Sequence, residues 1–362
     1  MTRQWIVVPL LLVLTLFGAI ATIDVWFPWL AELKPKTEIV IDKGTRKEAI
    51  DSLIAQLNAH YVFLEKARQL EAVLRQHLRE GRYASITDGE RFAAQLTDDL
   101  HKVADDKHMM VEARAEEVPY DGADPPQPVS KAQWERRTPL AMRFLLGVGL
   151  SLGKVGVAKV DHIGHNIGYL KLPDFPPPFL MAERYAAAMD ELADTDGLIV
   201  DLRDNRGGGP ATVALLVSYF VDQRTRLNDL WDRTSGVTTA QWTTDRLDGK
   251  RYGGSRPVVV LVGPDTKSAG EDFAYTMQAM KRATVLGEPT WGGAHPSRPY
   301  RLGDHFAAWI PDRRTISPIT HANWEGTGVI PDIPATQDKA LAAARELLQR
   351  RIDVSAHVAV RH

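Results

Sequence analysis

The sequence predicts an α/β fold, and three observations carry that expectation. Short continuous apolar runs, Gly197 to Leu202 (GLIVDL) and Pro257 to Val262 (PVVVLV), read as strands buried on both faces. Helical patterns alternate with them over Met181–Leu192, Pro210–Val221 and Ala269–Met280. Turn chemistry rich in Gly, Asp and Asn follows each buried run, where an open α/β sheet places its ligands and catalytic groups. A chain of 362 residues is long enough for two domains or for one large core with a smaller companion.

Going along the chain, Trp5 to Ile23 carries no charge, and Arg3 gives it a positive flank. At about 1.5 Å per residue such a stretch crosses a bilayer core of about 30 Å. Ala19-Ile20-Ala21 also fits a cleavage site, so residues 1–23 are expected to be a signal peptide or a membrane anchor. Either places the rest outside the cytoplasm, in a periplasmic or other extracytoplasmic space. A connector over 24–45 leads into a helical region over 46–112. There Ile50, Leu53, Leu57, Leu70 and Leu74 recur at helical spacing, and a second run from Asp88 to Val103 has Thr87 as its expected cap. Residues 113–138 are polar and Pro-rich and read as a linker. The α/β core is expected over 139–353, with strands at Ile167–Leu172, Thr284–Leu286, Ala307–Ile310 and Thr315–Ile319 and a closing helix from Thr336 to Arg351, then a tail over 354–362.

Composition excludes several chemistries. Lys plus Arg number 44 against 46 Asp plus Glu, a formal charge of −2, which gives no bulk attraction to nucleic acid. There is no cysteine, so disulfides, thiolate metal sites and thiol nucleophiles are excluded together. The histidines show no metal-ligand spacing, and no metal or other cofactor is expected.

Two turns stand out. Asp201 to Gly209 (DLRDNRGGG) ends in three glycines before a helix, able to aim backbone N–H groups at a polarised oxygen or simply to pack tightly. No Lys-Ser/Thr pair follows, so a nucleotide phosphate loop does not fit. Lys267-Ser268-Ala269-Gly270-Glu271 puts a serine at a helix start beside small residues, as a nucleophile or as a cap. Glu271 reads as the partner of a structural salt bridge at that turn. His108, beside Asp105 and Asp106, is by its residues alone more often a charge-balanced surface group than a catalytic one.

The ordered set IGYLKL (167–172), DLRDNRGGG (201–209), KSAGE (267–271), VLGEPTWGGA (285–294) and EGTGVIPDI (325–333) resembles the C-terminal (tail-specific) processing serine peptidase family. It is more similar to the branch holding the interphotoreceptor retinoid-binding protein modules and the tricorn core. The resemblance implies a crotonase/ClpP-like mixed sheet core covered by helices, with an N-terminal helical subdomain. It also implies a serine peptidase acting on peptide or protein substrates through an acyl-enzyme at Ser268, with His108 as general base and then acid and Glu325 orienting it directly or through an intermediate group. Gly207 or Gly208, with Ala269, would supply the oxyanion hole. The Ser–Lys dyad of the processing peptidases is absent, since Thr290 to Ala294 (TWGGA) holds no lysine, and Lys107 stands where the tricorn-like site has a serine. The span from Val111 to Asn166 is too short for the usual peptide-binding PDZ domain; the apolar stretches Pro139–Val148 and Phe175–Met181 are candidates for a substrate groove or plain core. The alternative implied by the same branch is an inactive module that binds an apolar ligand such as a retinoid or fatty acid.

Overall fold

The computed structural model describes residues 39–114, 118, 130–138 and 140–359. The signal or anchor expected over 1–23 lies outside them; among the described residues no helix is long and apolar enough to cross a membrane.

The α/β expectation holds. A six-stranded mixed sheet runs in the order β12 (Ile333–Pro334), β8 (Thr284–Gly287), β7 (Val258–Val262), β4 (Gly197–Asp201), β3 (Ile167–Lys171), β2 (Lys159–His162). Only β2 is antiparallel to its neighbour. Successive side chains on the central strands serve opposite cores. Leu198, Val200, Val258, Val260 and Val262 pack under helices α6 (Pro178–Leu192), α7 (Pro210–Val217) and α8 (Ala269–Ala279), while Ile199, Val259 and Leu261 meet Ala340, Ala344 and Leu348 of α9 (Gln337–Ala359). Both faces are covered, which explains the unbroken apolar strand sequences.

The N-terminal region forms α1 (Lys43–His60), α2 (Leu64–Arg79) and α3 (Gly89–Ala104), followed by β1 (Met110–Ala113). Asp88, not Thr87, caps α3, its carboxylate accepting the Arg91 N–H at 2.7 Å. This unit shares its core with the rest of the chain. β1 pairs with β10 (Phe306–Pro311), which pairs with β9 (Ser297–Arg301), and Ile50, Leu53, Phe92, Leu96 and Leu100 pack on Tyr300, Phe306 and Ile310 of those strands. A third sheet, β11 (Arg313–Ile316), β5 (Arg226–Asp232) and β6 (Thr238–Trp242), completes the fold.

Several expectations shift. Residues 131–137, read as linker, form α4 (Lys131–Arg137), capped by Ser130 and followed by α5 (Leu140–Ser151). The strand expected at 315–319 begins two residues earlier and ends at Ile316. The closing helix continues to Ala359 through what was read as a tail, because no Gly or Pro stops it after Gln337. β2, β5, β6, β9 and β12 were not foreseen: β2, β6 and β9 are short and polar, β12 has two residues, and the seven-residue β5 (RLNDLWD) has its apolar side chains out of alternation.

The shared core predicts one cooperative unfolding event. Phe306→Ala removes a ring lying 5.6 Å from that of Phe92 and should cost about 3–5 kcal/mol. In a denaturant titration, far-UV dichroism, dominated by helices, and fluorescence of the core tryptophans should shift together; separate transitions would show that the helical unit folds on its own core.

Candidate active site

Ser268 sits where the sequence placed it, between β7 and α8. The turn leading to it is fixed by Thr266, whose hydroxyl accepts the Gly263 N–H at 2.9 Å and donates to the Leu202 carbonyl at 2.7 Å. Ser268 itself adopts φ 49° and ψ −112°, a backbone conformation that costs a non-glycine residue energy and is sustained only by its surroundings. The Ser268 N–H donates to the carboxylate of Glu271 at 2.8 Å.

Glu271 is the centre of this arrangement. It is fully buried and accepts, besides Ser268, the Thr290 hydroxyl at 2.6 Å and the N–H groups of Gly292 at 2.5 Å and Gly293 at 3.0 Å. Burial pushes its carboxyl above the ordinary range, and these hydrogen bonds pull it back. The salt bridge expected of Glu271 is not found among the described residues; backbone and hydroxyl donors take its place.

The glycine turn lies against the same elbow. Gly207 has φ 94°, and a Cβ there would come within 2.9 Å of the Ser268 Cβ, so only glycine allows the approach. Buried Asn205 joins the two turns: its carbonyl accepts the Lys267 N–H at 2.8 Å and its side-chain oxygen accepts the Gly207 N–H at 2.9 Å. The Gly207 N–H is therefore occupied. The N–H groups of Gly208 and Ala269 have no acceptor among the described residues.

His108 reaches this region from the far end of the helical unit. α3 stops at Asp105, which takes a left-handed conformation (φ 49°), and the chain turns through Asp106 and Lys107. The Lys107 ammonium donates to the Trp291 carbonyl, and the Trp291 N–H donates to the Thr266 carbonyl at 3.1 Å, so the His108 turn is tied to the serine turn through one residue. The His108 ring stands edge-on to the Trp291 ring with centroids 5.1 Å apart. Gly293 packs against it so closely that a Cβ would lie 2.7 Å from His108 Cε1. Burial pushes the imidazole down to about 4, against the opposing pull of Asp106.

Glu325 does not hydrogen-bond His108. Its Oε2 accepts the N–H groups of Ala294 at 2.5 Å and His295 at 3.1 Å, and lies 3.4 Å from His295 Nδ1. His295 Nδ1 is also 3.2 Å from Asp106 Oδ2, and Asp106 Oδ1 accepts the His108 N–H at 3.3 Å. Asp106 and His295 thus lie between Glu325 and the backbone of His108. Sequence reasoning missed both roles; the run GGAHP after Trp291, continuing an already selected motif, was the available signal for His295. Glu325 Oε1 and His108 Nδ1 are both buried without a partner. Burial and the neighbouring Asp106 push the Glu325 carboxyl up to about 7, with His295 opposing.

Known proteins resemble the chain in sequence and in fold. The model for peptidase family S41 matches residues 166–335, and that for the N-terminal domain of the family in eukaryotic IRBP matches residues 33–141. The chain belongs to peptidase family S41. It is 29% identical over 178 residues to the chloroplastic carboxyl-terminal-processing peptidase 2 of Arabidopsis thaliana, covering 47% of this S41 chain and 32% of that protein. It is 27% identical over 182 residues to tricorn protease homolog 1 of Streptomyces coelicolor, covering 48% of this chain and 15% of that one. The S41 chain therefore spans a third or less of these two relatives. In structure it is similar to a lipoprotein from Streptococcus agalactiae, with TM-score 0.55 and 12% identity over 85% of this chain and 96% of the other, a likeness of fold.

The raised Glu325 carboxyl carries a stability signature. A carboxyl that holds its proton to about 7 when folded, against an ordinary value of 4.5, binds more protons folded than unfolded between those values, so its contribution to stability falls as pH rises through that window. Glu325→Gln keeps an acceptor for both backbone N–H groups and removes the titration. Its melting temperature relative to wild type should rise from pH 5 to pH 8; a difference independent of pH would show that Glu325 does not titrate there.

Proposed function

We propose that this S41 chain is a serine peptidase that hydrolyses peptide bonds through an acyl-enzyme at Ser268. The observation that carries the reading is the elbow itself: a serine held at positive φ between a buried strand and a helix, beside the unengaged N–H groups of Gly208 and Ala269. In this mechanism the Ser268 hydroxyl attacks the scissile carbonyl. Gly208 and Ala269 donate to the oxyanion, each such donor contributing about 3 kcal/mol. Gly207, the other oxyanion candidate, acts by its close approach to Ser268 and not as a donor while Asn205 holds its N–H.

His108 is the base. Burial keeps its imidazole unprotonated at physiological pH, the form that can take the serine proton and then return it to the leaving amine. Glu325 acts through an intermediate group. Its Oε2 lies against His295, His295 Nδ1 against Asp106, and Asp106 accepts the His108 N–H, so the link from Glu325 to the His108 turn runs through His295 and Asp106. The substrate is a polypeptide, taken without a PDZ reader, in an extracytoplasmic space that the apolar segment 5–23 would direct the chain to or anchor it beside.

Ser268→Ala should abolish both hydrolysis of a quenched fluorescent peptide library and labelling by a fluorophosphonate. His108→Ala should lower kcat/KM by a comparable factor, at least about 10³, because groups that act as a unit do not lose activity additively. Wild-type protein that neither labels nor cleaves would refute the peptidase reading and favour the apolar-ligand alternative.

A further inference from the structure

Helix α5 has two apolar faces, and only one is covered. Met142, Leu145, Leu146 and Leu150 pack into the main core. Leu140, Phe144, Val148 and Leu152 recur every fourth residue on the other side and are 75%, 66%, 38% and 69% exposed. Exposed apolar side chains aligned along one stripe mark an interaction surface, where scattered ones would not. The sequence around it is strongly basic. From Ser130 to Lys159 the chain carries Lys131, Arg136, Arg137, Arg143, Lys154 and Lys159 against Glu135 alone, in a protein whose formal charge is −2. Lys131 and Arg136 before the stripe in the chain, and Lys154 after it, are exposed.

We propose that this face of α5 is a docking surface for an anionic lipid bilayer. A helix of 12 residues is about 18 Å long, too short to span a core of about 30 Å and suited to lie in the interface. There its apolar stripe enters the acyl boundary and the lysines and arginines meet lipid phosphates. A net positive charge around an apolar strip complements an anionic headgroup layer over hydrocarbon. The dock also sits beside the candidate site, because the Arg206 guanidinium, next to the glycine turn, donates to the Lys154 carbonyl at 3.3 Å and pairs with Asp174 at 2.9 Å. A bilayer on α5 would hold Ser268 at the membrane surface, whether or not residues 1–23 are removed.

The absence of cysteine makes the test direct. Phe144→Cys, Val148→Cys and, as a remote exposed control, Val237→Cys are made singly in the full chain and labelled with an environment-sensitive fluorophore. Phosphatidylglycerol vesicles should blue-shift the labels at 144 and 148 and raise their emission several-fold, with little change at 237. Lys131→Glu, Arg136→Glu and Lys154→Glu together should remove most of that response. The proposal is overturned by no shift at 144 and 148, by an equal shift with phosphatidylcholine, by an equal shift at 237, or by a shift on adding unfolded polypeptide without vesicles, which would make the stripe a substrate groove. None of these readouts depends on peptidase activity, so the two readings fail separately.

Discussion

The buried carboxylate of Glu271 holds the site together. Four donors converge on it, one from the serine elbow and three from the 290–293 segment that covers His108. A buried carboxylate is costly unless its lone pairs are filled by well-placed donors, so the elbow and the segment are stable in each other's presence and poorly so apart. The strained dihedrals of Ser268 depend on this, since its N–H is pointed at Glu271 and its flank is pressed by Gly207. The rest of the fold serves the same end. Parallel strands β4 and β7 bring the glycine turn and the elbow side by side, and the core shared by α1–α3 with β9 and β10 brings His108 from a distant part of the sequence.

The electrostatics set His108 and Glu325 apart by environment. His108 is desolvated beside Trp291 and kept neutral, while Glu325 is desolvated beside Asp106 and kept close to its titration point. His295 stands between the two carboxylates and mitigates their repulsion. With no thiol anywhere in the chain, the proposed nucleophile, base and orienting acid are a serine, a histidine and a glutamate.

Much of this could be read from sequence because it is local. The glycine run, the serine after a buried strand and the EGTGVIPDI turn are contiguous signals whose backbone needs dictate their residues. What escaped was long-range. Nothing near Asn205 announces that its side chain takes the Gly207 N–H, and nothing near Asp106 announces a partner at 295. Lys107, which breaks the tricorn-like pattern, gained a reason only in three dimensions, as the donor that ties the His108 turn to Trp291. The helical region looked separable because its apolar residues recur at helical spacing, yet its apolar faces are completed by strands about 200 residues later in the chain.

The central claim is that Ser268 and His108, far apart in sequence, work on one reacting atom. A crystal structure of the protein phosphonylated by a fluorophosphonate tests it most directly. The account predicts phosphorus bonded to Ser268 Oγ, the phosphoryl oxygen within about 3 Å of the Gly208 and Ala269 nitrogens, and an imidazole nitrogen of His108 within hydrogen-bond reach of the adduct. An adduct on another residue, or one on Ser268 with His108 turned away and the oxyanion donors empty, would contradict it.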